Sequence, residues 1–203
     1  MKRLTAILLL AMSLVVPGQV LASQPPQALV EETSQLMITK LREEKEAIKA
    51  EPGRIYELVD QIILPHFDFE YMSQLVLAKH WRKASAGQRS AFTDEFKMLL
   101  IRTYATSLNE YADQELTYLP FRASKKKDKA VVRTEVEQPG SFPIPIDYQL
   151  RNKNDSWKVF DVVIDSVSLV KNYRTSFSKE IRKEGLDQLI KTLAARNKQA
   201  TGE

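Results

Sequence analysis

The stretch Ile144-Pro145-Ile146-Asp147-Tyr148-Gln149-Leu150-Arg151 puts an apolar residue at every second position, and Asn152-Lys153-Asn154-Asp155 then leads into residues 157–164. Such alternation marks a half-buried strand and the Asn/Asp cluster supplies a turn, so the segment reads as a β-hairpin. Upstream, Leu116-Thr117-Tyr118-Leu119 and the β-branched run Val131-Val132-Arg133-Thr134-Glu135-Val136 flank Lys125-Lys126-Lys127-Asp128-Lys129 and make an earlier hairpin. Pro143 and Pro145 lack amide donors, which places the start of the third strand at a sheet edge or bulge. In the fourth strand Val159 and Val163 fall on one face and Phe160, Val162 and Ile164 on the other, so both faces need covering.

Outside the hairpins the apolar period lengthens to three and four. Leu29, Thr33, Leu36, Met37 and Leu41 predict a helix running to Ala50, and Pro52 opens a second with Ile55, Leu58, Val59, Ile62 and Ile63, stopped by Pro65. A third starts near Asp68 and runs toward Trp81. Ser85 caps a long fourth that reaches Tyr111, with Phe92, Phe96, Leu99, Leu100, Thr103 and Ser107 along its face. After Asp165, Leu169, Tyr173 and Phe177 step by four; past Gly185, Leu186, Leu189, Ile190 and Leu193 form a last amphipathic helix, with residues 197–203 expected to fray. The predicted class is α+β: a four-stranded antiparallel sheet covered by about six helices in one domain.

The chain has 203 residues, 43% hydrophobic and 28% charged, with no cysteine, which excludes disordered and disulfide-stapled classes. Lys2 and Arg3 precede an apolar run and then Val20-Leu21-Ala22, so residues 1–22 read as a cleaved signal peptide and residues 23–203 as the exported domain. The apolar run is shorter than the roughly 20 residues a spanning helix needs. Cleavage leaves 28 cations against 26 carboxylates, a formal +2 with interspersed signs, and no basic face for nucleic acid. Export without cysteine fits a periplasm.

Catalytic groups are sparse. His66 and His80 are the only imidazoles and have no ligand partners at metal-binding spacing, so no metal is expected. No G-x-S-x-G elbow and no glycine-rich phosphate loop occur. Asp68 and Glu70 invite an acid–base reading, but both sit where a helix starts, and a helix N-terminus attracts carboxylates for its own sake. The lysine run at 125–129 reads as a solvated loop, with docking to an anionic partner or surface the sharper alternative. By periodicity alone Tyr104, Leu108 and Tyr111 are core.

The segment Asp68-Phe69-Glu70-Tyr71-Met72-Ser73-Gln74-Leu75-Val76-Leu77-Ala78-Lys79-His80-Trp81-Arg82 resembles the D-F-x-x-M-x-x-x-V-L-x-x-x-W-R signature of the toluene-tolerance family, the MlaC-type periplasmic phospholipid-binding proteins. Gln88 with Phe92 and Phe96, then Leu99-Leu100-Ile101-Arg102-Thr103-Tyr104, is similar to the family's next helix. Val167-Ser168-Leu169-Val170-Lys171-Asn172-Tyr173-Arg174 with Phe177 is similar to its V-S-L-V-x-N-Y-R-x-x-F segment, and the likeness covers about residues 29–195. Ala78 stands where the family commonly has glycine, which the resemblance ties to a tighter helix contact.

The resemblance implies a twisted sheet wrapped by helices around an apolar lipid cavity. It further implies a periplasmic phospholipid carrier without catalysis or cofactor, taken as a monomer. Its expected partners are an outer-membrane lipoprotein complex of MlaA type and an inner-membrane ABC transporter with an MCE-domain subunit of MlaD type. Under it, Leu99, Tyr104, Leu108, Ile146, Tyr148, Val162, Val167, Leu169 and Val170 become candidate walls of the acyl pocket. A lipid-modifying enzyme and an envelope adaptor are the competing classes.

Overall fold

The computed structural model describes residues 24–110 and 112–199; the leader at 1–22, Ser23, Tyr111 and residues 200–203 lie outside them. The described helices are α1 (Pro26–Glu43), α2 (Lys45–Ala50), α3 (Arg54–Leu58), α4 (Phe69–Leu77), α5 (Lys79–Lys83), α6 (Ala86–Glu110), α7 (Leu169–Glu184) and α8 (Leu186–Gln199). They accompany one antiparallel sheet of β1 (Leu116–Tyr118), β2 (Lys129–Val136), β3 (Ile144–Lys153), β4 (Ser156–Ile164) and β5 (Val167–Ser168), which lie side by side in chain order, and α1, α4 and α7 pack against it. The α+β class and the two hairpins are as the periodicity predicts. The counts are not: there are five strands rather than four, and eight described helices rather than about six.

Each difference has a local cause. Asp165 and Ser166 both take positive φ, 46° and 67°, and reverse the chain in two residues, so Val167 and Ser168 return against Ile164 and Val163 as a short fifth strand. The predicted first helix divides at Glu44, where the backbone leaves helical geometry and the carboxylate receives Arg54 from the start of α3. The predicted second helix holds its direction but loosens into a π-helical turn, Val59–Ile63, and then a 3₁₀ turn, Leu64–His66. The tail expected to fray begins inside α8, which continues to Gln199, and buried Asn197 donates to the Glu95 carbonyl and carboxylate of α6 at 3.0 and 2.6 Å.

The predicted third helix breaks at Ala78, which adopts φ 49°, ψ −114° between α4 and α5. Only glycine takes this conformation without strain, so a glycine at this position answers a backbone demand rather than a helix contact. Ala78→Gly is therefore expected to stabilise the fold by about 1 kcal/mol, and to raise the melting temperature by about 2–4 °C in a calorimetric scan. A lower melting temperature would show that the corner relaxes around alanine.

Two irregularities shape the sheet. β3 is central, and Pro145 is tolerated there because its carbonyl accepts from Asp165 N at 3.0 Å, beyond the end of β4, so the missing amide faces a turn rather than a ladder. β4 carries a bulge at Phe160: Gln149 pairs with Asp161, but the next residue, Leu150, pairs with Val159. The bulge corrects the predicted facing, because it brings Val159 onto the same face as Val162 and Ile164.

Caps set the helix starts as the sequence suggests. The Gln88 amide donates to Ser85 Oγ (3.1 Å) and the Ser85 amide to Gln88 Oε1 (2.9 Å), a reciprocal box that opens α6. Ser168 caps α7 by accepting from the Lys171 amide, and its hydroxyl donates to buried Asp161 at 2.6 Å. Asp161 also accepts from the Val170 amide, so β4 and α7 are fixed to one another at a single carboxylate.

Candidate functional site

Burial of these helices against the sheet does not close one core. A larger cluster gathers around Met72, Val76, Phe92, Phe96, Leu150 and Leu193. A second gathers around Met37, Leu41, Ile55, Leu58, Val59 and Ile101, where α1, α3 and the π-helical turn meet α6. Between them lies a cavity of about 420 Å³, within the range of small-molecule and lipid sites. Its walls draw on both clusters, with Leu29, Met72 and Val162 on one side and Met37, Leu41 and Ile101 on the other. The cavity is thus the gap at which the core is divided.

The sheet provides the floor. Ile144, Ile146 and Tyr148 alternate along β3, and Val162 and Ile164 stand beside them on β4, Tyr148 opposite Val162 and Ile146 opposite Ile164. The β4 bulge adds Val159 to this row. α6 contributes Leu100, Ile101, Tyr104, Ser107 and Leu108, the i, i+1, i+4, i+7, i+8 stripe of one helical face. The π-helical and 3₁₀ turns contribute Val59, Ile63, Leu64 and His66.

The polar groups at this wall are neutral at pH 7. Burial pushes the Tyr148 phenol up to about 12, and its hydroxyl lies among those of Tyr118, Thr134 and Ser34. Burial, and then neighbouring Tyr173, pushes Tyr104 up to about 12. His66 is held below the ordinary imidazole value, first by burial and then by the Lys158 ammonium. Among the described residues that line the apolar space none is charged, which suits hydrocarbon and repels ions.

Six of the nine candidate wall residues meet in this cavity: Tyr104, Leu108, Ile146, Tyr148, Val162 and Leu169. Three do not. Val167 sits on the edge strand β5 and is 53% exposed, because the 165–166 turn delivers it to the sheet rim before α7 turns inward. Val170 is buried in the larger cluster, one residue and about 100° around α7 from Leu169. Leu99 likewise packs on the larger cluster, beside rather than on the Leu100–Tyr104 stripe. The α1 and π-helical walls were missed, although the Leu29, Thr33, Met37, Leu41 spacing carried part of the signal.

Asp68 is engaged structurally. Its Oδ1 accepts the Tyr71 amide as the α4 cap, and its Oδ2 accepts Arg151 Nε at 2.8 Å. Lys125, Lys126 and Lys127 lie on an exposed loop, while Lys129 belongs to β2 and stacks on Phe160, 4.2 Å from the ring centre. No group of three or more His, Asp or Glu close enough to hold a metal occurs among the described residues, and no described helix is long and apolar enough to cross a membrane.

The chain is similar in sequence and fold to known proteins. A family model described as MlaC protein matches residues 31–195. The chain is 30% identical over 178 residues to toluene tolerance protein ttg2D of Pseudomonas putida, spanning 87% of this chain and 82% of that one. It is 26% identical over 173 residues to the intermembrane phospholipid transport system binding protein MlaC of Haemophilus influenzae, spanning 84% and 81%. A solved phospholipid-binding protein from Ralstonia solanacearum, in complex with a phospholipid, superposes with a TM-score of 0.80 at 31% identity, over 88% of this chain and 99% of that one. With the family model running from α1 into α8, the chain belongs to the MlaC family.

Proposed function

We propose that this protein is a soluble periplasmic carrier that holds the acyl chains of a diacyl phospholipid in the divided core and performs no chemistry on them. It carries lipid between an outer-membrane lipoprotein complex and an inner-membrane ABC transporter with an MCE-domain subunit, and so serves outer-membrane lipid asymmetry. The observation that carries the reading is the uncharged apolar cavity, found in a fold that superposes on a protein solved with phospholipid bound.

Such a carrier answers a physical need. At about 0.8 kcal/mol per methylene, roughly 30 methylenes in two acyl chains oppose entry into water by about 24 kcal/mol. Free diffusion between membranes is negligible at that cost, whereas a cavity lined by Leu, Ile, Val and Met side chains removes most of it. Tyr104, Leu108, Ile146, Tyr148, Val162 and Leu169 are proposed to touch the chains.

Protein purified from a bacterial periplasm is expected to carry diacyl phospholipid, because a host membrane supplies ligand throughout expression. Native mass spectrometry should show the added lipid mass, and solvent extraction should release intact, unhydrolysed lipid. Lipid-free protein that takes up nothing from liposomes would favour the adaptor; lysolipid or free fatty acid accumulating with time would favour the enzyme.

A further inference from the structure

The near-neutral charge of the exported domain conceals a sorted surface. Lys129 opens β2 opposite Arg151 of β3, and the Asn152 amide donates to the Asp128 carbonyl at 2.9 Å, so the β1–β2 loop and the β3–β4 turn meet at one end of the sheet. The turn side is balanced, with Arg151, Lys153 and Lys158 against Asp68, Glu70 and Asp155. The loop side is not. It carries Arg122, Lys125, Lys126, Lys127 and Lys129 against Asp128 and against Glu31 of α1, whose charge reaches Tyr118 beside the loop. Five cations over two carboxylates leave an excess of three, more than the formal +2 of the whole exported domain. Signs that intersperse along the chain are thus separated in space.

The loop cations are also unspent. Arg122, Lys125, Lys126 and Lys127 are exposed, and none forms an ion pair with a described residue. The cations behind them are engaged: Lys129 lies over the Phe160 ring at 4.2 Å, and Arg151 lies over Tyr71 at 3.9 Å while bound to Asp68. Apolar groups stand among the free charges. The Leu119 amide donates to the Arg133 carbonyl at 3.0 Å and Arg133 Nη2 to the Pro120 carbonyl at 3.1 Å, which holds the start of the loop on β2. Continuing the β1–β2 register from Tyr118 and Thr134 brings Phe121 level with Val131, and these two are 40% and 39% exposed.

We propose that this end of the sheet docks on the surface of an anionic phospholipid bilayer, with Phe121 at head-group depth and the loop lysines among the phosphates. Unpaired lysines on a loop without regular structure offer no fixed pattern for a complementary protein face to match. A charged bilayer needs none, because its surface potential attracts each lysine wherever it stands, and an aromatic ring beside them settles at the interface. The inference goes beyond the carrier reading, since it assigns where the protein meets a membrane rather than what it holds.

The test is co-sedimentation of the full purified chain with vesicles of phosphatidylglycerol or of phosphatidylcholine. Wild type should bind the anionic vesicles about a hundredfold more strongly at about 0.05 M salt and lose most of that preference at about 0.5 M. Lys125→Gln/Lys126→Gln/Lys127→Gln should weaken binding about a hundredfold, roughly fivefold for each lysine, and the corresponding triple arginine variant should bind as wild type does. Lys171→Gln/Lys179→Gln/Lys191→Gln removes the same charge from exposed positions on α7 and α8 and should change binding by no more than about twofold. Phe121→Ser should cost about fivefold at either salt concentration, while Phe142→Ser, 90% exposed beyond the far end of β2, should cost nothing. Native mass spectrometry of the loop variant should show the same lipid content as wild type, because none of these side chains lines the cavity. Equal losses from the two lysine triples would reduce the effect to net charge and overturn the assignment. Loss in Phe142→Ser with none in the loop variant would move the membrane face to the other end of the sheet. Wild type that carries lipid yet ignores phosphatidylglycerol vesicles would leave carriage standing, overturn docking, and turn the search for the loop's partner to an acidic protein surface.

Discussion

Leu108→Glu is expected to strip the protein of phospholipid while leaving its apo form folded. Leu108 is half-buried, lines the cavity from α6, and joins the smaller cluster only at its margin. An ionised carboxylate there keeps its hydration while the cavity is empty and loses it once an acyl chain fills the space. Burying an unpaired charge beside hydrocarbon costs several kcal/mol even after water penetration, so affinity should fall by about a hundredfold or more. Leu108→Met conserves volume and polarity and should bind nearly normally. Val167→Glu is the informative control, because the half-exposed edge position already faces water. Lipid content after purification and thermal unfolding of delipidated protein read the two effects separately. Loss of lipid in Val167→Glu with full lipid in Leu108→Glu would reverse the assignment of the wall.

A cavity is only partly legible in a sequence, for a physical reason. The period-two run from Ile144 to Leu150 and the period-four run from Leu169 to Phe177 each state which face is buried, and the structure buries those faces. Neither run states whether the space in front of it is filled. Tyr104 and Phe96 lie on one helix with the same apolar spacing, yet one meets the cavity and the other a ring of aromatic neighbours. The distinction depends on how far α3 and the π-helical turn stand from the sheet, a distance set by many contacts and written in no local pattern. The β4 bulge is similar: nothing in Val159-Phe160-Asp161-Val162 announces that Val159 and Val162 will share a face. Val167 misled for the opposite reason, since its apolar character and family segment suggested burial, while the two-residue Asp165-Ser166 reversal placed it on the rim. Ala78 was legible as a departure from the family, but its cause, a positive φ, became visible only in the backbone.

Phe96→Ala provides the complementary result: a large loss of stability with the lipid site intact. Phe96 is fully buried and stacks on Phe92 at 5.7 Å within α6. It meets Tyr173 and Phe177 of α7 edge to face at 5.3 and 6.1 Å, and with Phe92, which meets Phe177 at 5.8 Å, it ties the long helix to the one that follows the sheet. Truncation removes the transfer free energy of the ring, leaves a void that close-packed neighbours fill only in part, and breaks three aromatic pairs. The cost should be about 4 kcal/mol, which for a chain of this size lowers the melting temperature by roughly 8–16 °C. Phe96 does not line the cavity, and the protein below its new melting temperature should still carry lipid. Equal melting temperatures for wild type and variant would mean that the aromatic group is not packed as described. Loss of lipid at temperatures where the variant remains folded would mean that the two clusters are coupled, and that the gap between them is held open by the rigidity of the larger one.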